Sequence, residues 1–229
     1  MKKIKQNILS IFLISVFMIP TAFSSESAVA EEHSGAISYN IGYMSEYWYR
    51  GVHQSDSAVS FGADYEVGGF YLGTWWADVD TGLEHDYYGG YAFSAMGMDM
   101  YAGFTGYYYT DNFDSDYEEF NFGVAMGPIA IDYADGNYDG SGVTDTGYTF
   151  TSVALDLAVV GLPMTLTAGY WGGDSSLEGN VYTLDYGTTV SGVDVGLQIG
   201  RNDDDITAGS RGASSVDTTF AVFSLGYSF

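Results

Sequence analysis

The chain has 229 residues, of which 6 are Lys or Arg and 30 are Asp or Glu. This charge excludes a nucleic-acid-binding protein, because such binding depends mainly on Lys and Arg contacts with phosphate. The chain has no cysteine, which excludes a disulfide framework, a redox thiol and a thiolate metal site. Aromatic residues make up 17% of the chain, and acidic disordered chains are poor in them, so we expect a folded protein.

The amino terminus has the order of a secretory signal peptide. Residues 1–6 are basic, residues 8–20 form an apolar run, and Ala28-Val29-Ala30 offers a small-residue cleavage site. The apolar run is shorter than the roughly 20 residues of a membrane-spanning helix. We therefore predict a cleaved signal peptide over 1–30 and one exported domain over 31–229, with cleavage a few residues earlier as the alternative.

After residue 30, apolar residues recur with a period of two, which is typical of β-strands. Glycine interrupts every stretch with helical spacing, and each glycine costs a helix interior about 1 kcal/mol. The sequence therefore predicts an all-β fold with twelve strands. They cover 36–50, 58–67, 70–80, 83–93, 98–109, 117–126, 129–138, 148–160, 164–171, 180–190, 193–202 and 217–229.

Short and long connections alternate along the predicted strands. The tight ones are 68–69, 95–97, 127–128, 161–163 and 191–192, and the mostly longer, polar ones are 51–57, 80–82, 111–116, 139–147, 172–179 and 203–216. A transmembrane β-barrel has this asymmetry, with short periplasmic turns and longer outer loops. A soluble β-sandwich gives no reason for such regular alternation.

Each predicted strand has one apolar face and one face of small or charged residues, as in Phe223, Leu225 and Tyr227 against Ser224 and Gly226. In a membrane barrel the apolar face meets lipid. Aromatic residues gather near strand ends, the strand number is even, and the chain ends within an apolar alternation; all three are typical of bacterial outer-membrane barrels. We predict a transmembrane antiparallel up-and-down β-barrel of about 12 strands, with a soluble secreted β-sandwich as the alternative.

The first predicted strand and hairpin carry a specific resemblance. Residues 45–56 read Ser-Glu-Tyr-Trp-Tyr-Arg-Gly-Val-His-Gln-Ser-Asp and are followed by Gly62-Ala63-Asp64-Tyr65-Glu66 and by Gly69-Phe70-Tyr71. This pattern resembles the amino-terminal signature of the TorF-type porin family of proteobacterial outer-membrane β-barrel proteins. The match is specific over about 38–80 and looser afterwards. The resemblance implies a barrel in the bacterial outer membrane and a pore, and it supplies no catalytic residues.

The carboxyl terminus resembles a recognition signal for barrel assembly. Tyr227 and Phe229 form a terminal Tyr-x-Phe, which is similar to the signal read by the bacterial outer-membrane assembly machinery. The expected partners are therefore this machinery, outer-membrane lipid and lipopolysaccharide, and no nucleic acid. The sequence does not predict an oligomeric state.

If the apolar faces meet lipid, the opposite faces line a lumen, and charged residues belong there because the lipid face penalises them. A lumen with one sign of charge concentrates counter-ions, and acidic rings favour cations. We predict a narrow channel for cations or small solutes, with a closed structural or surface-binding barrel as the alternative. Arg50 is expected to form a structural ion pair with a lumenal carboxylate, with a fixed cation in a constriction of the pore as the alternative. The predicted pore-lining residues are Glu46, Arg50, Asp64, Glu66, Asp86, Asp99, Glu119, Asp132, Asp156, Asp185 and Asp194.

Residues 135–140 match the first half of a calcium-binding loop. Asp135, Asn137 and Asp139 provide oxygen ligands at positions 1, 3 and 5, and Gly140 stands at position 6. Position 12 is Thr146, so the usual bidentate Glu is missing. We expect no resident cofactor and at most weakly bound Ca2+, and the alternative is that these are ordinary turn residues.

An enzyme is the least favoured class. A hydrolase site needs a nucleophile, a base within reach and a third orienting group. The histidines after the predicted signal peptide are His33, His53 and His85, and nothing beside them marks a nucleophile. We therefore expect no catalytic residues.

Overall fold

The computed structural model describes residues 35–140, 146–174, 178–203, 206 and 218–229. Twelve antiparallel strands close a barrel in the order β1-β14-β13-β12-β11-β10-β9-β8-β7-β6-β5-β4, and β2 and β3 form a separate two-stranded hairpin. The predicted fold class and the number of barrel strands are therefore confirmed. The predicted signal peptide over 1–30 lies outside the described residues.

The strands have the following bounds: β1 Ala36–Met44, β2 Tyr47–Tyr49, β3 Val52–Ser55, β4 Ala58–Val67, β5 Phe70–Asp78, β6 Leu83–Ala95, β7 Met98–Tyr109, β8 Asp116–Met126, β9 Ile129–Asp139, β10 Thr146–Asp156, β11 Met164–Gly173, β12 Gly179–Val190, β13 Val193–Asn202 and β14 Thr218–Ser228.

The barrel closes where the first and last strands meet. Asn40 lies opposite Ser228 in the β1–β14 register. The backbone N–H of Tyr39 donates to the carbonyl oxygen of Phe229 at 2.9 Å, and the N–H of Phe229 donates back at 3.0 Å. Because of these bonds, neither strand is an open edge. A barrel in a membrane must close in this way, since an open edge leaves backbone groups unpaired.

The two ends of the barrel differ as the sequence predicts. At the short-turn end, two-residue turns join β4 to β5, β6 to β7, β8 to β9 and β12 to β13. Met96 and Gly97 both have positive φ, and so do Ser191 and Gly192, which is the conformation that matches the twist of a hairpin. The seven-residue connection from β10 to β11, which contains a short helix, also lies at the short-turn end, and the long-loop end carries connections such as residues 45–57 and 110–115.

Side chains alternate strictly between the two surfaces of the wall. The outer surface is apolar and exposed, as shown by Ile37 at 63%, Phe61 at 53% and Phe120 at 66% relative exposure. The third barrel strand, β5, is ambiguous in sequence because both faces carry aromatic residues. In the structure Phe70 is exposed on the outside, whereas Trp75 is buried inside.

Inside the wall, aromatic rings lie across glycines of the neighbouring strand. Gly73 pairs with Tyr88, and Gly123 pairs with Tyr101. A Cβ at Gly73 would stand 2.5 Å from three atoms of Tyr88, and one at Gly123 would overlap Cε1 of Tyr101. Only glycine leaves room for these rings, so they lie against the wall instead of pointing across the lumen.

Two predicted strand ends are wrong. The first predicted strand continues to residue 50, but β1 ends at Met44 and the chain then leaves the wall. The eighth predicted strand continues to residue 160, but β10 ends at Asp156 and a 3-10 helix follows over Leu157–Val160. Asp156 caps this helix by accepting from the N–H of Ala158, which ends the strand despite the apolar alternation. In the described residues no helix is long and apolar enough to cross a membrane.

Candidate functional site: a hairpin inside the lumen

Residues 45–57 fold back into the barrel from the long-loop end, and we call this segment the lumen hairpin. The sequence predicts residues 45–50 as the end of the first barrel strand and 51–57 as an outer loop. In the structure neither belongs there, because residues 47–49 and 52–55 form the strands of the inward hairpin. Tyr47 is 1% exposed, Trp48 is 5% exposed and all four residues of β3 are buried. A two-stranded hairpin alone is marginally stable, so contacts with the wall must hold it in place.

The tip of the lumen hairpin is a tight turn occupied by an arginine. Arg50 has φ 48° and Gly51 has φ 83°, a pair of left-handed residues for which Asn-Gly is the usual choice. Arg50 is held there by Glu119 on β8. Its Nη1 and Nη2 donate to the two carboxylate oxygens at 2.9 and 2.8 Å, which is a bidentate pair. The expected ion pair of Arg50 with a lumenal carboxylate is present.

Glu119 and Arg50 are each surrounded by further partners. The hydroxyls of Tyr107 and Tyr148 and the side-chain amide of Asn121 donate to the carboxylate at 2.8, 3.0 and 2.7 Å. Burial alone would lower the pKa of Arg50, but Glu119 together with Tyr49 and Tyr107 outweighs burial and raises the pKa above its usual value. The guanidinium therefore remains protonated.

Aromatic rings complete the surroundings of the Arg50 guanidinium. Its central carbon lies 4.7 Å from the ring centroid of Phe150, 4.8 Å from that of Tyr49 and 5.6 Å from that of Trp171. All three distances are within the range of cation–π attraction. The wall, through Glu119, Phe150 and Trp171, and the hairpin, through Tyr49, thus surround a cation with a carboxylate and aromatic faces.

Other contacts anchor the two arms of the hairpin. The hydroxyl of Tyr47 donates to Oε1 of Glu84 on β6 at 2.6 Å. Burial raises the pKa of the Tyr47 hydroxyl and the Glu84 carboxyl raises it further, so Tyr47 remains a donor. Trp48 stacks on Phe220 of β14 with ring centroids 4.2 Å apart.

The backbone of the hairpin tip is also held by the wall. Nε1 of Trp171 donates to the carbonyl oxygen of Arg50 at 2.8 Å, and Nδ2 of Asn202 donates to that of Gly51 at 2.6 Å. These donors come from β11 and β13, whereas Glu119 belongs to β8 on another part of the wall. The tip is therefore bound to several strands and narrows the lumen on the long-loop side.

Most of the predicted pore-lining carboxylates lie on the inner face of the wall. They accept from neutral donors: Asp64 from Tyr88 and Asn40, Asp99 from Ser94, Asp132 from Tyr101, Asp185 from Thr183 and Gln198, and Asp194 from Thr189. Glu66 also stands on this face, and Glu46 lies in the lumen hairpin, where it accepts from Nε1 of Trp48. Their role in lining a pore stays a prediction.

Glu84 is a lumenal carboxylate that is not among the predicted pore-lining residues. It is 1% exposed, and Asp86 two residues later is 0% exposed. Both oxygens of Asp86 lack a hydrogen-bond partner among the described residues. The alternation of side chains along a strand could have identified Glu84, because residues 84 and 86 lie on the same face of β6.

Two groups of predicted site residues lie elsewhere than expected. Asp156 belongs to the cap at the short-turn end. Asp135, Asn137 and Asp139 lie in β9 and not in a loop, and their alternation with buried Ala134 and Gly136 puts them on the outer face. No group of three His, Cys, Asp or Glu in the described part of the chain could hold a metal ion. Weak calcium binding stays a prediction.

The two described histidines lie on opposite sides of the wall. His85 is on the outer surface, with its ring 4.9 Å from that of Trp76 and 5.8 Å from that of Tyr108. His53 is buried in the lumen hairpin, 3.4 Å from Asp56. The fold does not bring these two histidines together.

A cavity of about 140 Å3 lies against the lumen side of the hairpin. Arg50 and Glu119 contribute to one part of its lining, and the inner face of the wall contributes Tyr71, Tyr101 and Asp132. Towards the short-turn end the inner face becomes exposed, as at Ser94, Thr189 and Ser228. The lumen is therefore open towards the short-turn end and narrowed by the hairpin towards the long-loop end.

A family model described as "Bacterial protein of unknown function (Gcw_chp)" matches residues 29–229. The chain belongs to this family. The TorF-type resemblance stays a prediction, since the matching model has another description. Among curated protein sequences none matches the chain significantly.

Solved structures share the barrel fold at low sequence identity. A structure described as "KdgM porin" has a TM-score of 0.53 and 9% identity, covering 86% of this chain and 99% of that one. A chain described under "Unveiling the Mechanism Behind the in-meso Crystallization of Membrane Proteins" has a TM-score of 0.52 and 8% identity, covering 84% and 83%. The outer membrane protein OpdK of Pseudomonas aeruginosa has a TM-score of 0.41 and 15% identity, covering 81% and 61%. The first of these similarities shows that the Gcw_chp chain shares its barrel fold with the KdgM porin.

Proposed function

We propose that this Gcw_chp protein is an outer-membrane channel through which small cations and small uncharged solutes diffuse passively. Its export by the signal peptide 1–30, its insertion by the barrel assembly machinery and its contact with lipopolysaccharide belong to the same proposal. The apolar outer surface supports a membrane location, because an exposed apolar band around a whole barrel favours lipid over water. The exposed rings of Tyr227 and Phe229 remain accessible to an assembly factor.

The observation that carries the channel proposal is the charge of the inner face. In the described part of the chain Arg50 is the one Lys or Arg side chain directed into the lumen, and Glu119 already neutralises it. Asp64, Asp132 and Asp185 accept hydrogen bonds from neutral donors and keep an uncompensated charge when ionised. Such a lumen attracts cations and repels anions.

The lumen hairpin defines where the channel is narrowest. Its buried residues fill the long-loop end, so flow through the barrel depends on the gap between the hairpin and the wall. The same observation favours the second candidate, a closed structural barrel in which the hairpin is a permanent plug. The two functions differ in whether ions pass.

Conductance of the purified protein in planar bilayers tests the proposal. Wild type is compared with a variant in which residues 46–56 are replaced by a short Gly-Ser turn. The channel proposal expects step conductance from wild type and larger steps from the variant. A wild type that never conducts, together with a conducting variant, indicates a plugged barrel. Anion preference in both proteins contradicts the acidic-lumen proposal.

A further inference from the structure

We propose that the cavity under the lumen hairpin is a binding site for a small organic monocation, with Asp132 as the charge partner and tyrosine rings as the contact surface. This inference rests on the proposed channel, because it names a class of solute that the lumen would admit. It concerns a defined site of about 140 Å3, which exceeds the room that a single water molecule needs.

The charges around the cavity favour one positive charge. The charged residues that line it are Arg50, Glu119 and Asp132. Arg50 and Glu119 form a bidentate pair and cancel, which leaves the single negative charge of Asp132. Asp132 accepts a hydrogen bond from the hydroxyl of Tyr101 at 2.8 Å, a neutral donor that orients the carboxylate without compensating its charge. A monocation balances this site, and an anion does not.

The aromatic residues of the cavity are placed to contact a cation with their faces. A Cβ built at Gly123 would overlap ring atoms of Tyr101, and one built at Gly103 would overlap the Tyr71 hydroxyl. These rings therefore lie along the wall. A ring that lies along the wall covers the glycine with one face and turns the other to the lumen, where it can attract a cation.

Arg50 shows that this lumen accepts an organic cation in the same manner. Its guanidinium is held between a carboxylate and the rings of Tyr49, Phe150 and Trp171. The neighbouring cavity repeats the combination with Asp132 and Tyr101. A compact inorganic ion would bind here more weakly, because its strong hydration competes with the aromatic faces. A methylated or alkyl ammonium ion is only weakly hydrated.

Tetramethylammonium is a suitable probe, and neutral tert-butyl alcohol is a control of similar shape. Binding to the folded full-length protein in detergent is measured by isothermal titration calorimetry. We expect wild type to bind tetramethylammonium and not tert-butyl alcohol. Asp132→Asn should weaken binding about tenfold or more, since a charged partner contributes on this order.

Matched variants distinguish binding at this site from a general effect of the lumen charge. Asp194→Asn removes an equal charge near the short turns, where Asp194 pairs with Thr189, and should change the affinity less than about threefold. Tyr101→Phe keeps the ring and should bind, whereas Tyr101→Leu should lose about tenfold. Gel mobility without heating confirms that each variant is folded.

Specific results overturn the inference. Equal affinity of wild type and Asp132→Asn, equal affinity of Asp132→Asn and Asp194→Asn, or binding of tert-butyl alcohol as tight as that of the cation would each contradict an organic-cation site. If the protein conducts potassium but does not bind tetramethylammonium, the channel proposal stands and the binding-site proposal is wrong. If the protein binds tetramethylammonium through Asp132 but conducts no ions, the binding-site proposal stands and the channel proposal is wrong.

Discussion

Replacing Arg50 with methionine removes the guanidinium and leaves Glu119 buried without its cation. Breaking a buried ion pair from one side typically costs about 3–5 kcal/mol. The Arg50 side chain is 18% exposed, and three neutral donors remain on Glu119, so we expect a cost at or somewhat below the lower end of this range. We expect Arg50→Met to lower the free energy of unfolding by about 2–3 kcal/mol, which is roughly a factor of 30–150 in the unfolding equilibrium.

A double-mutant cycle isolates the pair from other effects of the substitution. Glu119→Gln and the double variant are prepared beside Arg50→Met, and urea unfolding in lipid vesicles is followed by tryptophan fluorescence. Because the double variant buries no unpaired charge, its loss should be smaller than the sum of the single losses by about 2 kcal/mol. Additivity within about 0.5 kcal/mol would refute the reasoning that this pair clamps the hairpin.

Three further substitutions test other parts of the structure. Tyr47→Phe leaves one oxygen of buried Glu84 without its donor and should cost about 1–3 kcal/mol in the same urea titration. Gly123→Ala forces the ring of Tyr101 away from the wall and should cost about 1–3 kcal/mol by the strain of overpacking, measured as a lower urea midpoint. Leu197→Arg places a charge on the outer face and should cost about 2–4 kcal/mol if this depth is near the bilayer midplane, measured by folding into vesicles.

Each of these substitutions has a control variant in which the same type of change is made at another position. Tyr43→Phe changes an exposed outer tyrosine and should have little effect. Gly147→Ala meets only Asn137 Oδ1 at 3.9 Å and should be tolerated. Gln198→Arg places the charge of Leu197→Arg one residue later, on the inner face beside Asp185, and should cost less. Equal costs for the two arginine variants would contradict the assignment of the outer and inner faces.

Much of the barrel could be predicted because features of short sequence segments determine it. Alternation of side chains along a strand and the length of each connection are visible in the sequence, and a closed barrel follows from both. The same alternation is sufficient to place Asp64, Asp132 and Asp185 on one face of their strands. The alternation is not sufficient at Asp156, where a bond from the N–H of Ala158 to the Asp156 side chain starts a short helix inside an apolar alternation.

The lumen hairpin could not be predicted from local pattern, because residues 45–50 continue the strand signal of β1. The chain leaves the wall there, and its buried partners come from β5, β6, β8, β11, β13 and β14, which are distant in sequence. The one local hint is Arg50-Gly51, which takes the positive φ values of a tight hairpin turn. The carboxylate that holds this arginine is 69 residues away.

The reversal potential under a KCl gradient tests the central claim most directly, since it reports which ion crosses the lumen of single reconstituted barrels. We predict a clear preference for K+ over Cl−, which increases when residues 46–56 are replaced by a short turn and the charge of Glu119 is no longer neutralised. A preference for Cl−, or no conductance in either protein, would contradict it.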